Sequence, residues 1–175
     1  MKKIRIAING FGRIGRTVFR LLLENSEIEV VAINDLADTH TLSHLLKYDS
    51  IHGVLKKDIQ HNRDHIIVDG KSFPLLNCNT LTAINWKPFN VDFVIEATGK
   101  FKSREQLQHH IIGGAKKVIL AVPPSDDSIK MVVLGVNENI LDGTEDIISN
   151  ASCTTNNAAP MIKVIKELCG IEQAY

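Results

Sequence analysis

Gly10-Phe11-Gly12-Arg13-Ile14-Gly15 follows a short alternation of Ile4, Ile6 and Ile8 with Arg5 and Ala7. This juxtaposition restricts the chain to few folds. The alternation predicts a buried strand that ends in a tight turn, and the glycines predict that a helix starts there at once. Ile14, Val18, Leu21 and Leu22 then recur at helical spacing through about Glu24, and the β-branched run Ile28 to Ile33 ends at Asn34-Asp35. The unit is therefore βαβ. Gly10 allows the turn, Gly12 lets main chain approach a pyrophosphate, and Gly15 permits close helix packing. The helix start favours the negative charge of the ligand. Asp35 lies twenty positions after Gly15, where a carboxylate accepts hydrogen bonds from a ribose and repels a 2′-phosphate. No arginine adjoins it, so NAD is expected in preference to NADP.

The rest of the chain extends this pattern. Leu42, Leu45 and Leu46 suggest a short helix, and Val54 to Leu76 reads as an antiparallel excursion turning at Asn62-Arg63-Asp64 and at Asp69-Gly70. Strands are expected over Val91–Ala97, Lys117–Val122, Met131–Val136 and Ile147–Ser149, with a helix over Arg104–Ile112. Strands that alternate with helices and are too apolar to be half-exposed indicate a Rossmann-type α/β fold. Its doubly wound, mainly parallel sheet is covered on both faces. A last helix is expected from Thr154 to the C-cap Gly170, with Ala158, Met161, Ile162, Ile165 and Leu168 on one face. Pro160 should kink it or loosen its first turn around Thr155–Asn157, because proline has no amide to give the carbonyl of Asn156.

Twenty basic and twenty acidic residues balance in 175, so no net field draws the chain to nucleic acid or to an anionic membrane. Neither is an expected partner. No apolar run is long enough to span a bilayer, and Met1-Lys2-Lys3 leads into no cleavable signal, so a cytoplasmic location is expected. Cys78, Cys153 and Cys169 are odd in number and lack metal-ligand spacing. They indicate neither a disulfide framework nor a metal site. Cys78 and Cys169, the latter on the core side of the last helix, read as structural. All seven histidines, at 40, 44, 52, 61, 65, 109 and 110, read as surface residues.

Cys153 lies in Ser149-Asn150-Ala151-Ser152-Cys153-Thr154-Thr155-Asn156, among small hydrogen-bonding residues where a helix begins. First-turn amides and the positive end of the helix dipole favour an anion, so a thiol there is a candidate nucleophile. A thiol beside an NAD site suits oxidation of an aldehyde through a covalent thioester.

These residues closely resemble phosphorylating glyceraldehyde-3-phosphate dehydrogenase. The resemblance rests on Ala7 to Arg16, Ala32-Ile33-Asn34-Asp35, Leu45 to Ser50, Glu96-Ala97-Thr98-Gly99 and Ser149 to Asn156. It implies Cys153 as the thioester-forming nucleophile in converting glyceraldehyde 3-phosphate to 1,3-bisphosphoglycerate in glycolysis. It implies Ser152 and Thr154 as neighbours of the attacking inorganic phosphate. Arg13, Ile14, Asp35 and Thr98 are the implied NAD contacts, with Asn9, Gly10, Gly12, Gly15 and Gly99 in the turns that carry them. A homotetramer is implied for the full-length protein. Erythrose-4-phosphate dehydrogenases share most of these motifs, so substrate identity is less fixed than reaction type.

Two positions depart from the family pattern. Asn79 stands where many relatives carry a basic residue, and Ala121 where they carry serine, so side-chain contacts near the cofactor are expected to give way to main-chain ones. The resemblance also implies a division into an NAD-binding domain, 1–151, and the first helix of a catalytic domain, 152–175. The family's catalytic histidine falls beyond the equivalent of Tyr175. The chain as given is therefore expected to bind NAD without turnover, as an NAD-binding module.

Overall fold

The computed structural model describes residues 2–173. Strand β1 (Ile4–Asn9), helix α1 (Arg13–Leu22) and strand β2 (Ile28–Asn34) form the opening βαβ unit. Its strands pair in parallel, from Ile4 opposite Ile28 to Asn9 opposite Asn34. Helix α2 (Thr39–Lys47) starts at Asp38, whose carboxylate accepts the Thr41 amide at 2.8 Å, which satisfies one of the orphan donors of a helix start. Its other end is held by Arg20 of α1, which donates to the carbonyls of Leu46 and Lys47. A small hairpin, β3 (Tyr48–Asp49) with β4 (Gly53–Val54), follows.

Strands β5 (Ile59–His61), β6 (His65–Val68) and β7 (Lys71–Leu76) are the expected antiparallel excursion. Asp69 and Gly70, both in the left-handed region, make its second turn. The sequence did not show where it returns: β7 lies parallel beside β2, with Ile33 opposite Leu75. The chain continues through β8 (Phe93–Glu96), α3 (Arg104–Ile112), β9 (Lys117–Leu120), β10 (Lys130–Met131), β11 (Ile147–Ser149) and α4 (Cys153–Cys169). Ser103 and Gln106 close a full capping box on α3. The nine-stranded sheet has the order β10-β11-β9-β8-β1-β2-β7-β6-β5. Every neighbouring pair from β10 to β7 is parallel, which makes this the expected doubly wound α/β architecture.

Alternation along β1 feeds two cores. Ile6 and Ile8 face a cluster with Phe11, Phe19, Leu42, Leu46 and Phe73, whereas Ala7 faces Trp86, Val91, Val94 and Ala115 on the other side. Phe19 meets Phe11 and Phe73 edge-on, with ring centroids at 5.3 and 4.8 Å. Burying a side chain of this size stabilises the fold by roughly 1.5–3 kcal/mol. A third cluster packs Leu107 of α3 against Val118, Leu120 and Ile147.

Four expectations need correction. Only Met131 of the segment 131–136 is in a strand, because the Asn137 side chain accepts the Val133 amide at 2.7 Å and Gly135 turns at φ 80°. Helix α4 is continuous through Pro160, with no loosened turn at Thr155–Asn157. Cys169 is exposed, because no residue of α4 is buried among the described residues. His110 is not a surface histidine: it is 0 % exposed, carried inward by α3 on the same face as Leu107. Among the described residues no helix is long and apolar enough to cross a membrane.

Candidate cofactor site and the cysteine turn

Parallel strands deliver their carboxyl ends to one edge of the sheet, where open α/β sheets bind ligands. Here the register aligns those ends in a row. Asn34 lies opposite Asn9, Asn9 opposite Glu96, Glu96 opposite Leu120 and Leu120 opposite Ser149. The glycine turn after β1, Asp35 after β2, Thr98-Gly99 after β8 and the cysteine turn after β11 therefore leave the same edge. A cavity of about 280 Å³ opens there, with Asn9, Gly10, Gly12, Asp35 and Thr98 in its lining.

Its floor is main chain. Gly10 has φ 92°, and a Cβ on it would lie 2.6 Å from the Thr98 nitrogen, so glycine is required both by conformation and by contact. A Cβ on Gly15 would lie 2.1 Å from the Gly10 carbonyl oxygen, so α1 rests directly on the turn. At Gly12 a Cβ would meet nothing within 4 Å, which leaves open space for a ligand to approach the backbone. No side chain caps α1 and no acidic residue occupies its first turn. Its orphan amides are thus free for an anion. This is the arrangement a dinucleotide pyrophosphate requires, and the residues present fit NAD.

Asp35 is fixed by main chain: its carboxylate accepts the Phe11 amide at 2.6 Å and the Ala37 amide at 3.0 Å. Each oxygen keeps a lone pair for a ribose hydroxyl. Arg16 holds the turn from behind by donating to the Phe11 carbonyl at 2.9 Å, and burial pushes its guanidinium pKa down. The Asn9 side chain is turned inward, donating to Glu96 at 2.5 Å and accepting from Asn34 at 2.7 Å. Arg13 and Ile14 are exposed on α1 and Gly15 is buried beneath the turn, and neither these three nor Gly99 line the cavity. Asn34, Leu36, Thr80, Leu81 and Phe101 line the cavity without having been expected. Asn34 could have been found as the neighbour of Asp35 at a strand end, whereas residues 80 and 81 depend on the return of β7 beside β2. Asn79 does stand on the cavity wall.

The cysteine turn is held separately. Ser149 Oγ donates to the Val122 carbonyl at 2.8 Å and accepts the Ala151 amide at 3.0 Å. Ala151 adopts φ 56°, a left-handed conformation that costs a non-glycine residue about 1–2 kcal/mol. Ser152 caps α4, its Oγ accepting the Thr155 amide at 2.9 Å and lying 2.8 Å from the Thr154 hydroxyl. Asn156 Nδ2 donates back to the Asn150 carbonyl at 2.7 Å. Cys153 thus opens α4 with an exposed side chain. It borders the same sheet edge as the cavity but does not line it, and neither do Ser152 and Thr154. Among the described residues no group of three or more His, Cys, Asp or Glu side chains could hold a metal ion.

Known proteins match this architecture. The family model for the glyceraldehyde 3-phosphate dehydrogenase NAD binding domain matches residues 4–104. Glyceraldehyde-3-phosphate dehydrogenase 2 of Streptomyces avermitilis is 53% identical over 170 residues, 96% of this chain and 50% of the relative. The Thermotoga maritima glyceraldehyde-3-phosphate dehydrogenase is 50% identical over 169 residues, 95% of this chain and 50% of its own. Glyceraldehyde-3-phosphate dehydrogenase 2 of Bacillus subtilis is 48% identical over 171 residues, 97% of this chain and 50% of its own. The chain spans about half the length of these curated relatives. It therefore belongs to the glyceraldehyde-3-phosphate dehydrogenase family, an NAD-linked oxidoreductase family, and carries that family's NAD-binding domain.

Proposed function

We propose that this chain is the cofactor-binding portion of a phosphorylating glyceraldehyde-3-phosphate dehydrogenase. Residues 1–151 form the NAD-binding domain and residues 152–175 open the catalytic domain. In the whole protein the Cys153 thiol adds to the aldehyde carbonyl of glyceraldehyde 3-phosphate and gives a thiohemiacetal. Departure of hydride leaves a thioester. Inorganic phosphate then attacks the acyl carbon, forming 1,3-bisphosphoglycerate and returning the thiol. NAD, when bound, supplies the hydride acceptor. Asp35 receives the adenosine ribose, the start of α1 receives the pyrophosphate, and the Arg13, Ile14, Thr98 and Gly99 main chain completes the site. Ser152 and Thr154 present hydroxyls beside the sulfur for the attacking phosphate. The protein is assigned to cytoplasmic glycolysis as a homotetramer.

One observation carries this reading. The row Asn34–Asn9–Glu96–Leu120–Ser149 puts the glycine turn and the cysteine turn on one edge of the sheet. Among the described residues no histidine is hydrogen-bonded to Cys153, and a nucleophile without its base forfeits proton transfer, typically worth about 10²- to 10⁴-fold. Cofactor binding is therefore assigned to this chain and turnover to the whole protein. Calorimetry with NAD should show saturable binding, while an assay with glyceraldehyde 3-phosphate, phosphate and NAD should show no NADH formation. Absence of NAD binding overturns the cofactor reading, and sustained NADH formation overturns the division of labour. Comparison of glyceraldehyde 3-phosphate with erythrose 4-phosphate on the full-length enzyme separates the two sugar phosphates.

A further inference from the structure

Behind the cavity wall lies a chain of buried polar groups that the proposed chemistry does not use. Trp86 and His110 are 0 % exposed, as is Glu96. The Trp86 indole N–H, which can only donate, points at His110 Nδ1 at 3.0 Å. Nδ1 must therefore accept, so the neutral imidazole carries its proton on Nε2 and donates it to Glu96 Oε2 at 3.0 Å. That same oxygen accepts Asn9 Nδ2 at 2.5 Å. Glu96 Oε1 accepts the Thr98 amide at 2.9 Å and also the Thr98 hydroxyl. Asn9 Oδ1 accepts from Asn34 Nδ2. Four donors thus converge on one buried carboxylate. Glu96 and His110 do not line the cavity, but Asn9, Asn34 and Thr98 do.

We propose that Glu96 and His110 are a positioning pair for the cofactor site: from behind the wall they lock Asn9 and the Thr98 turn, on which the Gly10 backbone rests, and thereby set NAD affinity. The geometry argues for more than core filling. Core filling alone would not need a carboxylate, and this one spends three of its four bonds on two lining residues. A polar network under low dielectric is rigid when fully satisfied and costly when one member is removed. Glu96→Gln replaces an acceptor with a donor that faces donors already present. His110→Ala leaves both the Trp86 N–H and one lone pair of Glu96 unpaired. His110→Gln retains one acceptor and one donor.

The inference rests on NAD binding by this chain, so the wild-type titration comes first: no uptake of NAD overturns the cofactor reading and the inference together. Given binding, the 175-residue chain and its variants are compared by calorimetry below their melting temperatures. Glu96→Gln and His110→Ala should raise the Kd for NAD at least about tenfold, and His110→Gln should stay within about threefold of wild type. Val68→Ala, a cavity on β6 in the first cluster and away from α3 and β8, serves as a control of similar thermal destabilisation and should stay within about twofold. Equal affinity across the folded variants, or a loss no larger than that of the control, overturns the positioning role alone. If the two stronger variants do not fold, nitrogen-15 spectra of the wild type decide. Saturation with NAD should move the indole resonance of Trp86 and the ring nitrogens of His110, and spectra that do not move overturn the proposal.

Discussion

At the scale of the residue, the site is defined as much by absent side chains as by present ones. Gly15 and Gly12 belong to one motif but answer to different constraints. Replacing Gly15 with alanine drives a Cβ into the Gly10 carbonyl and should cost about 1–3 kcal/mol of stability, seen as a lower urea midpoint, along with NAD binding. Gly12→Ala meets open space, so its midpoint should hold while calorimetry shows weakened NAD binding. The opposite ranking of midpoints would contradict the packing described. His110 shows where single-residue reading fails. His109 and His110 are adjacent and chemically identical in the sequence, and only the helical phase of Leu107, three residues earlier, distinguishes them. The other available signal was Trp86, whose N–H must find a partner once buried.

At the scale of the element, long periodic segments with clear end signals were legible in the sequence. The helix expected over Arg104–Ile112 has those bounds, and the strand Ile147–Ser149 likewise. The excursion through β5 and β6 was readable because its turns carry Asn, Asp and Gly. Its return beside β2 was not, since strand pairing is non-local and β7 bears no mark of its partner. Strand β10 illustrates a different limit: two residues in ladder geometry are held by side chains beyond it. Lys130 Nζ donates to Glu145 at 2.6 Å, and this ion pair, with the amides of Asp142 and Gly143, holds the Glu145 carboxyl down at about 2. A depressed carboxylate stabilises the fold above its ordinary pKa, and that contribution fades as pH falls from about 4.5 toward 2. Glu145→Gln should therefore melt below the wild type at pH 7, and the gap should close by about pH 2. A gap independent of pH would show that the charge is not what holds the loop.

At the scale of the whole molecule, α4 stands apart. It is tied down at its start by Asn156 and along its length by Lys163, which donates to the Gly135 carbonyl at 2.7 Å. Met161, Val164, Ile165 and Leu168 are exposed, Leu168 by 78%. These positions recur at same-face spacing and make one exposed apolar stripe, and a stripe of this kind promotes self-association. Ile165→Glu with Leu168→Glu should lower the apparent mass of the chain in concentrated solution by sedimentation while leaving NAD affinity unchanged. An unchanged mass distribution would show that this face does not drive association. The row of strand ends carries one more consequence. Every residue lining the cavity falls between Asn9 and Phe101, yet the row runs on to Ser149, and Cys153 follows it. On the ribosome, then, the groups that build the nucleotide pocket emerge well before the Cys153 thiol exists, and that sulfur reaches an edge whose pocket-lining members are already made.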